Sequence, residues 1–445
     1  MVALIKILQL IIALAILIVV HELGHFTFAK IFRIRVDKFF LFFDAGNVKL
    51  LSTKTGWFSK LFPKAAGWET EYGIGWLPLG GYCKIAGMID ESMDTEHLKT
   101  EPQPWEFRTK PAWQRLLVMA GGVLFNFIFA IMAYSAILGI WGEAYIRNEG
   151  NSIYVNELAY EMGFRNGDRI LAFDDYIPED FSMLQADLVR RKTHRVQILR
   201  QEDTISIYID QSKFGEMLQN PGMFSLARPF IILNVPENSH NLGVDLQSGD
   251  RIIAIDSMRT DYVQDAWKIL GERKGRQITA MITRQSDTLP MAMQVDTAGM
   301  LGVYLQAPEI QRKEYTFLSA IPAGFAKTFS SINGYLKDLR LVATPSTEAY
   351  KSVGSFIAIG QIFPSAWDWY SFLSIVAMLS IMLAVMNLLP IPALDGGHIV
   401  FTIYEMITGR KPSDRFLMAT QMIGMILVLA LMFLAFSNDI TRLLR

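Results

Sequence analysis

Three stretches of this chain, Leu116–Gly142, Trp369–Leu394 and Phe416–Asn438, carry no charged side chain over a length that matches a bilayer. A membrane-crossing helix needs about 20 apolar residues, within a range of roughly 17–25. A fourth run, Ile7–Val20, reaches that length if its helix starts near Val2 and continues through His21–Ile31. Composition agrees: 51% of the 445 residues are hydrophobic and 19% are charged, against about 25% charged in an ordinary soluble domain. The spacing therefore predicts transmembrane helices over 1–31, 112–142, 369–397 and 416–438. The alternative for Met1–Val20 is a cleaved signal peptide. Ile18-Val19-Val20 offers no small-x-small cleavage site, and the helical pattern runs on past His25.

Charge sets the expected orientation. The 42 basic and 43 acidic residues nearly cancel, so nothing points to nucleic acid or to acidic substrates. The single cysteine, Cys83, rules out an intramolecular disulfide framework and a Cys-rich metal cluster. Basic residues crowd the segment 32–111, from Arg33 to Lys110, and recur in the short loop 398–415 as Arg410, Lys411 and Arg415. Both loops fall on one face of a four-span chain, which the positive-inside rule makes cytoplasmic. Residues 143–368 then lie on the other side, which in a bacterium is the periplasm.

The soluble middle contains an internal repeat. Gly167-Asp168-Arg169-Ile170 matches Gly249-Asp250-Arg251-Ile252, and each copy is followed by a helix-like segment (Met183–Arg190, Val263–Leu270) and then by strands. Short alternating runs such as Val196–Leu199, Ile205–Ile209, Ile252–Ile255 and Ile278–Ile282 read as β-strands. This arrangement resembles tandem PDZ domains, here 143–220 and 221–310, whose bacterial members carry a Gly-Asp turn feeding a buried strand. Within 311–368, apolar residues from Phe317 to Leu339 recur every three or four positions. That pattern suits an amphipathic helix, either on the outer leaflet or packed on the second repeat.

The chemistry lies in His21-Glu22-Leu23-Gly24-His25. Residues four apart share a helix face, so His21 and His25 can hold one zinc ion while Glu22 takes a proton from a water activated by the metal. At membrane depth each ionisable residue costs about 2.5–3.5 kcal/mol on insertion scales. Three together need partners, and a metal is the simplest. A catalytic zinc takes three protein ligands and leaves one position open. The third apolar run ends in Asn387-Leu388-Leu389-Pro390-Ile391-Pro392-Ala393-Leu394-Asp395-Gly396-Gly397, where Pro390 and Pro392 interrupt the helix ahead of a lone carboxylate. Broken backbone at membrane depth is tolerated only where it is buried in protein or lines a cavity, so this segment, with Pro390 and Pro392, is expected to form an active-site wall that meets the substrate. Asp395 is thus the candidate third ligand, with His398 as a rival. His97, His194 and His240 sit in soluble segments and read as surface residues.

Taken together, His-Glu-x-x-His in the first span, Asn-x-x-Pro-x-Pro-x-Leu-Asp-Gly in a later one and PDZ-like repeats between the central spans resemble the site-2 protease family, in its bacterial regulator-of-sigma-E form. The resemblance covers nearly the whole chain and keeps the motif order. It implies a polytopic α-helical membrane protein with four transmembrane helices, a re-entrant β-loop and two PDZ-like α+β domains. The implied activity is zinc-dependent cleavage inside the transmembrane segments of single-span partners, such as anti-sigma factors and remnant signal peptides. Carried over by position, His21, His25 and Asp395 would hold zinc and Glu22 would be the general base. Asn387 would hold the substrate backbone. Asn126, in Gly122-Val123-Leu124-Phe125-Asn126, would polarise the substrate carbonyl or bond across helices. The Gly-rich stretch Tyr72–Tyr82, within 68–88, matches the re-entrant β-loop. Gly73, Gly75, Gly80 and Gly81 there would present an edge to which an unwound substrate adds as a strand. The preceding segment, Phe39–Gly67, is longer than that pattern needs.

Two other classes compete. Buried His, Asp and Asn side chains also mark ion pathways, but transporters commonly show inverted repeats among their spans, and the repeat here is in the soluble middle. A peptide-binding scaffold without catalysis would not need His21, Glu22, His25 and Asp395 together.

Overall fold

The structure is a computed structural model describing residues 2–78, 80–88 and 101–444. His97 and Leu79 lie outside the described residues. The chain forms two compact units. One comprises Met1–Gly142, Glu314–Leu339 and Val353–Arg445, and the other comprises Glu143–Lys313 and Arg340–Ser352.

The first unit is helical. Helices α1 (Val2–Ile31) and α2 (Ala112–Trp141) flank a small sheet in sequence, and α3 (Phe317–Val342), α4 (Trp369–Leu388), α5 (Asp395–Thr408) and α6 (Asp414–Leu443) follow. Among the described residues, α1, α2, α4 and most of α6 are long and apolar enough to cross a membrane. Helix α4 stops at Leu388, nine residues short of the predicted 397. The prolines at 390 and 392 cannot donate backbone hydrogen bonds, and the chain instead closes tight turns (Ile391 N–H to Leu389 carbonyl, 2.7 Å; Leu394 N–H to Ile391 carbonyl, 2.8 Å). Asp395 then opens a new helix, so 398–408 is helical where a loop was expected.

Helices α1 and α2 meet at glycines. A methyl group on Gly24 would run into the backbone of Gly121, and one on Gly122 would sit 2.5 Å from the His21 ring and 2.6 Å from His25 Nε2. Only residues without a Cβ permit this approach. Helix α3 packs on α2 through Ala320 and Gly324, with Ala320 against Gly139 and Gly324 against Ser135. Its Phe317, Leu318, Phe325 and Phe329 remain exposed. Of the two settings expected for this helix, neither named the α2 surface on which it sits.

Between α1 and α2, strands β1 (Val36–Leu41), β2 (Lys49–Ser52), β3 (Glu71–Gly75) and β4 (Tyr82–Ile85) form one sheet in the order β2-β3-β1-β4. β1 and β3 are parallel, and the other pairs are antiparallel. Of the supposed insert, Phe39–Gly67, the end of β1 (Phe39–Leu41) and all of β2 (Lys49–Ser52) therefore belong to the sheet.

The second unit contains both repeats. In the first, Arg169–Phe173, Arg195–Arg200 and Asp203–Tyr208 form an antiparallel sheet packed on the helix Leu184–Arg190 around Phe164, Phe173, Leu188 and Ile198. In the second, Arg251–Ile255, Gln277–Arg284 and Asp287–Gln294 pack on Val263–Glu272 around Ile252, Leu270 and Ile282. The repeated Gly-Asp pair has one structural role in both. Gly167 and Gly249 take φ of +93° and +94°, which a β-carbon would strain. Asp168 accepts the Arg165 N–H and binds Arg200, while Asp250 accepts the Gln247 N–H and binds Arg284, each contact at 2.8 Å.

Candidate metal centre and catalytic pocket

One turn of α1 presents His21 and His25 on the face that meets α2, and the break after α4 delivers Asp395 opposite them. Asp395 Oδ2 lies 3.2 Å from His21 Nε2 and 3.4 Å from His25 Nε2, and the two Nε2 atoms are 3.3 Å apart. Residues 370 positions apart in the chain thus converge on one point. His398, the rival ligand, lines the same cavity but is outside this trio. His194 and His240 are exposed.

The imidazoles are oriented by their far nitrogens. His25 Nδ1 is 2.9 Å from the Val118 carbonyl, an acceptor that can only take a proton, so the Nε2 lone pair faces the trio. His21 Nδ1 is 3.1 Å from the Asn126 side-chain amide. The Asn126 nitrogen faces His21, and its buried Oδ1 has no partner. A half-turn of the amide exchanges the two atoms. It then offers an acceptor to His21 Nδ1–H and frees Nε2 for a ligand. Asn126 is fully buried, and its carbonyl accepts from Ser380 in α4. Asn387 Nδ2 lies 3.4 Å from His21 Nε2, within reach of the same point.

Asp395 Oδ2 is sealed from solvent and accepts no hydrogen bond. A buried carboxylate oxygen left unpaired costs several kcal/mol in effective terms. Two imidazole nitrogens and one carboxylate oxygen, all within 4.8 Å of one another, form the His₂-carboxylate donor set of a catalytic zinc. The residues present fit that ion.

The trio opens into a cavity of about 500 Å³ lined by Glu22, by Gly81–Ile85 along β4 and by Ala393–Asp395. Glu22 of α1 and Cys83 of β4 both line it. β4 ends the strand order of its sheet, paired with β1 among the described residues. Gly80 and Gly81 lead into it, and a methyl on Gly81 would press on Ile18 of α1. Gly73 and Gly75 are elsewhere: β3 is an interior strand, hydrogen-bonded to both β1 and β2. Side chains there would collide with Phe40 and with the Phe43 backbone, so these glycines serve packing and not an edge, contrary to expectation. Pro390 and Pro392 are not among the cavity-lining residues. They shape the turn that carries Asp395.

The sequence reading missed Gly24 and Gly121, which set the helix contact. It also missed Lys38, Asp44 and Tyr82 at the cavity wall, joined by a 2.9 Å bond from the Tyr82 hydroxyl to Asp44. A Gly at the fourth position of the His motif facing a Gly-Gly pair in the next span was the available signal for the first.

Comparison with known proteins places this architecture. The pattern describing peptidase family M50 matches residues 9–431. Regulator of sigma-E protease RseP of Salmonella typhimurium (strain 14028s) is 29% identical over 97% of this chain and 98% of its own length. The protein of the same name from Escherichia coli K12 is 28% identical over the same shares. A Xylella fastidiosa relative with zinc metalloprotease in its name is 26% identical over 97% of both. With the His₂-carboxylate trio at the root of an apolar helix pair and the family pattern running nearly end to end, the chain belongs to peptidase family M50.

Proposed function

We propose that this protein hydrolyses peptide bonds within the transmembrane segments of single-span membrane proteins, with His21, His25 and Asp395 as metal ligands and Glu22 as general base. As an M50 member it is a zinc metalloendopeptidase of regulated intramembrane proteolysis. The observation that carries the residue assignment is the unpartnered Asp395 Oδ2 facing two imidazole Nε2 atoms.

A bound zinc ion supplies Lewis acidity, polarising the scissile carbonyl and lowering the pKa of water toward neutrality. Glu22 takes the proton from the attacking water and returns it to the departing amine. Once His21 Nε2 is engaged, Asn387 Nδ2 is released from it and becomes a donor for the substrate backbone. Asn126 holds the His21 ring. A helical substrate unwinds before cleavage, and strand addition along β4 repays its lost hydrogen bonds.

The wider reading has four spans (1–31, 112–142, 369–388 and 416–438) in a bacterial inner membrane, with the metal toward the cytoplasm. The basic segments 32–111 and 398–415 support it. The two repeats are PDZ-like domains on the opposite side, supported by their shared Gly-Asp turn, strand and helix. Anti-sigma factors and remnant signal peptides are the proposed substrates.

The test is Glu22→Gln in purified protein with a reconstituted single-span substrate. Zinc content should stay at the wild-type level while cleavage falls by about 10²–10⁴-fold. Undiminished cleavage in that variant would overturn the mechanism.

A further inference from the structure

The segment Thr53–Trp68, between β2 and β3, has no role in the pocket just described. It forms two short helices, Gly56–Leu61 and Pro63–Ala66. Its apolar side chains are turned outward: Trp57, Leu61, Phe62 and Trp68 are 62%, 63%, 50% and 54% exposed. The Phe58 and Phe62 rings lie 4.8 Å apart at a 39° tilt, and Trp57 meets Phe58 edge-on. With Phe39, Leu41 and Leu51 of the sheet, Phe58, Phe62 and Trp68 line an open groove of about 680 Å³. The segment also carries Lys54, Lys60 and Lys64 and no acidic residue.

The depth of this patch follows from its foot. Glu69, immediately after Trp68, pairs with Lys30 Nζ at 2.9 Å, and Tyr72 packs on Phe26. Lys30 is in the last turn of α1, a 30-residue helix. At 1.5 Å per residue α1 is about 45 Å long, against about 30 Å of hydrocarbon, so its last turn emerges among headgroups. Exposed Trp, Phe and Leu flanked by Lys, at that level, have the composition of a membrane-interface element.

We propose that Thr53–Trp68 is a membrane seat: acyl chains of the leaflet next to the last turn of α1 fill its groove, and Lys54, Lys60 and Lys64 engage anionic headgroups. The seat fixes the height of the β-sheet, and hence of the β4 edge, relative to a substrate in the bilayer. Charge complementarity and continuity with the end of α1 identify lipid as the occupant.

The experiment uses the full chain with Leu61→Cys, labelled with an environment-sensitive fluorophore, in phosphatidylcholine vesicles containing about one third phosphatidylglycerol. Wild-type protein treated in parallel supplies the background from Cys83. Lipid-borne spin labels should quench the probe several-fold more than aqueous iodide does. Replacing Lys54, Lys60 and Lys64 by Gln should shift that ratio toward iodide, and pure phosphatidylcholine should do the same. Full iodide access without lipid quenching would overturn the proposal. So would lipid quenching or iodide protection that develops only after a single-span substrate is added, since the groove would then be a substrate dock. The readout needs no turnover and is repeated in Glu22→Gln, so its failure is separable from failure of the hydrolytic reading.

Discussion

Asp250 in the β-rich unit and Asp395 among the helices both place carboxylate oxygens beyond the reach of water, and they are completed in opposite ways. Asp250 is 1% exposed and fully engaged: Arg284 binds both of its oxygens, and the Gln247 N–H adds a third bond. Asp168 repeats the arrangement with Arg200 and Arg165. Asp395 has an oxygen with no hydrogen bond, aimed at two imidazole nitrogens. A satisfied buried charge specifies a fold, whereas one left open specifies a ligand.

The sharpest way to break this comparison is Asp395→Ala. Zinc content and hydrolysis should both fall to background, while thermal melting of the metal-free protein in detergent stays level or rises, because an uncompensated carboxylate has been removed. A marked loss of metal-free stability would show that Asp395 is structural after all. Asp250→Ala should do the reverse: urea unfolding should show a loss of about 3 kcal/mol, the low end for breaking a buried pair since Arg284 keeps some solvent. Zinc content should be unchanged. Asn126→Ala tests the intermediate case, a buried amide completed only through a ligand residue. Competition with a zinc chelator should report about 10–100-fold weaker metal binding.

The smallest effect is in pH. The Arg284 guanidinium holds the Asp250 carboxyl below its ordinary range. Its contribution to stability is therefore complete above the unfolded carboxylate value of about 3.9 and is lost as pH falls through the lower folded value. Unfolding followed down to acid pH should show this loss in wild type and a flatter profile in Asp250→Asn.

The sequence was most informative where local periodicity carries the chemistry. His21 and His25 share a helix face by spacing alone, and the lone carboxylate after two prolines singled out Asp395. Helix ends were less legible: Pro390 and Pro392 marked an interruption, but the span was bounded by the apolar run, which continues to Leu394 and passes the actual stop at Leu388. Gly73 and Gly75 were misplaced at an edge because strand order, β2-β3-β1-β4, depends on a parallel pairing that no local pattern encodes. The arginine partners of Asp168 and Asp250 lie 32 and 34 residues downstream, beyond the stretch over which the repeat was aligned. Extending that alignment through the following hairpin would have paired them.

The glycine contact between α1 and α2 divides the pocket into a stiff wall and a compliant one. A single methyl at position 122 would strike both imidazoles, so backbone apposition, not side-chain rotamers, sets their separation. Adaptation to new substrates then has to accumulate across the cleft, along β4 and at Ala393 and Leu394, while the wall that carries His21 and His25 and the Asp395 carboxylate stay fixed. Efforts to retarget the enzyme are best directed at that opposite bank.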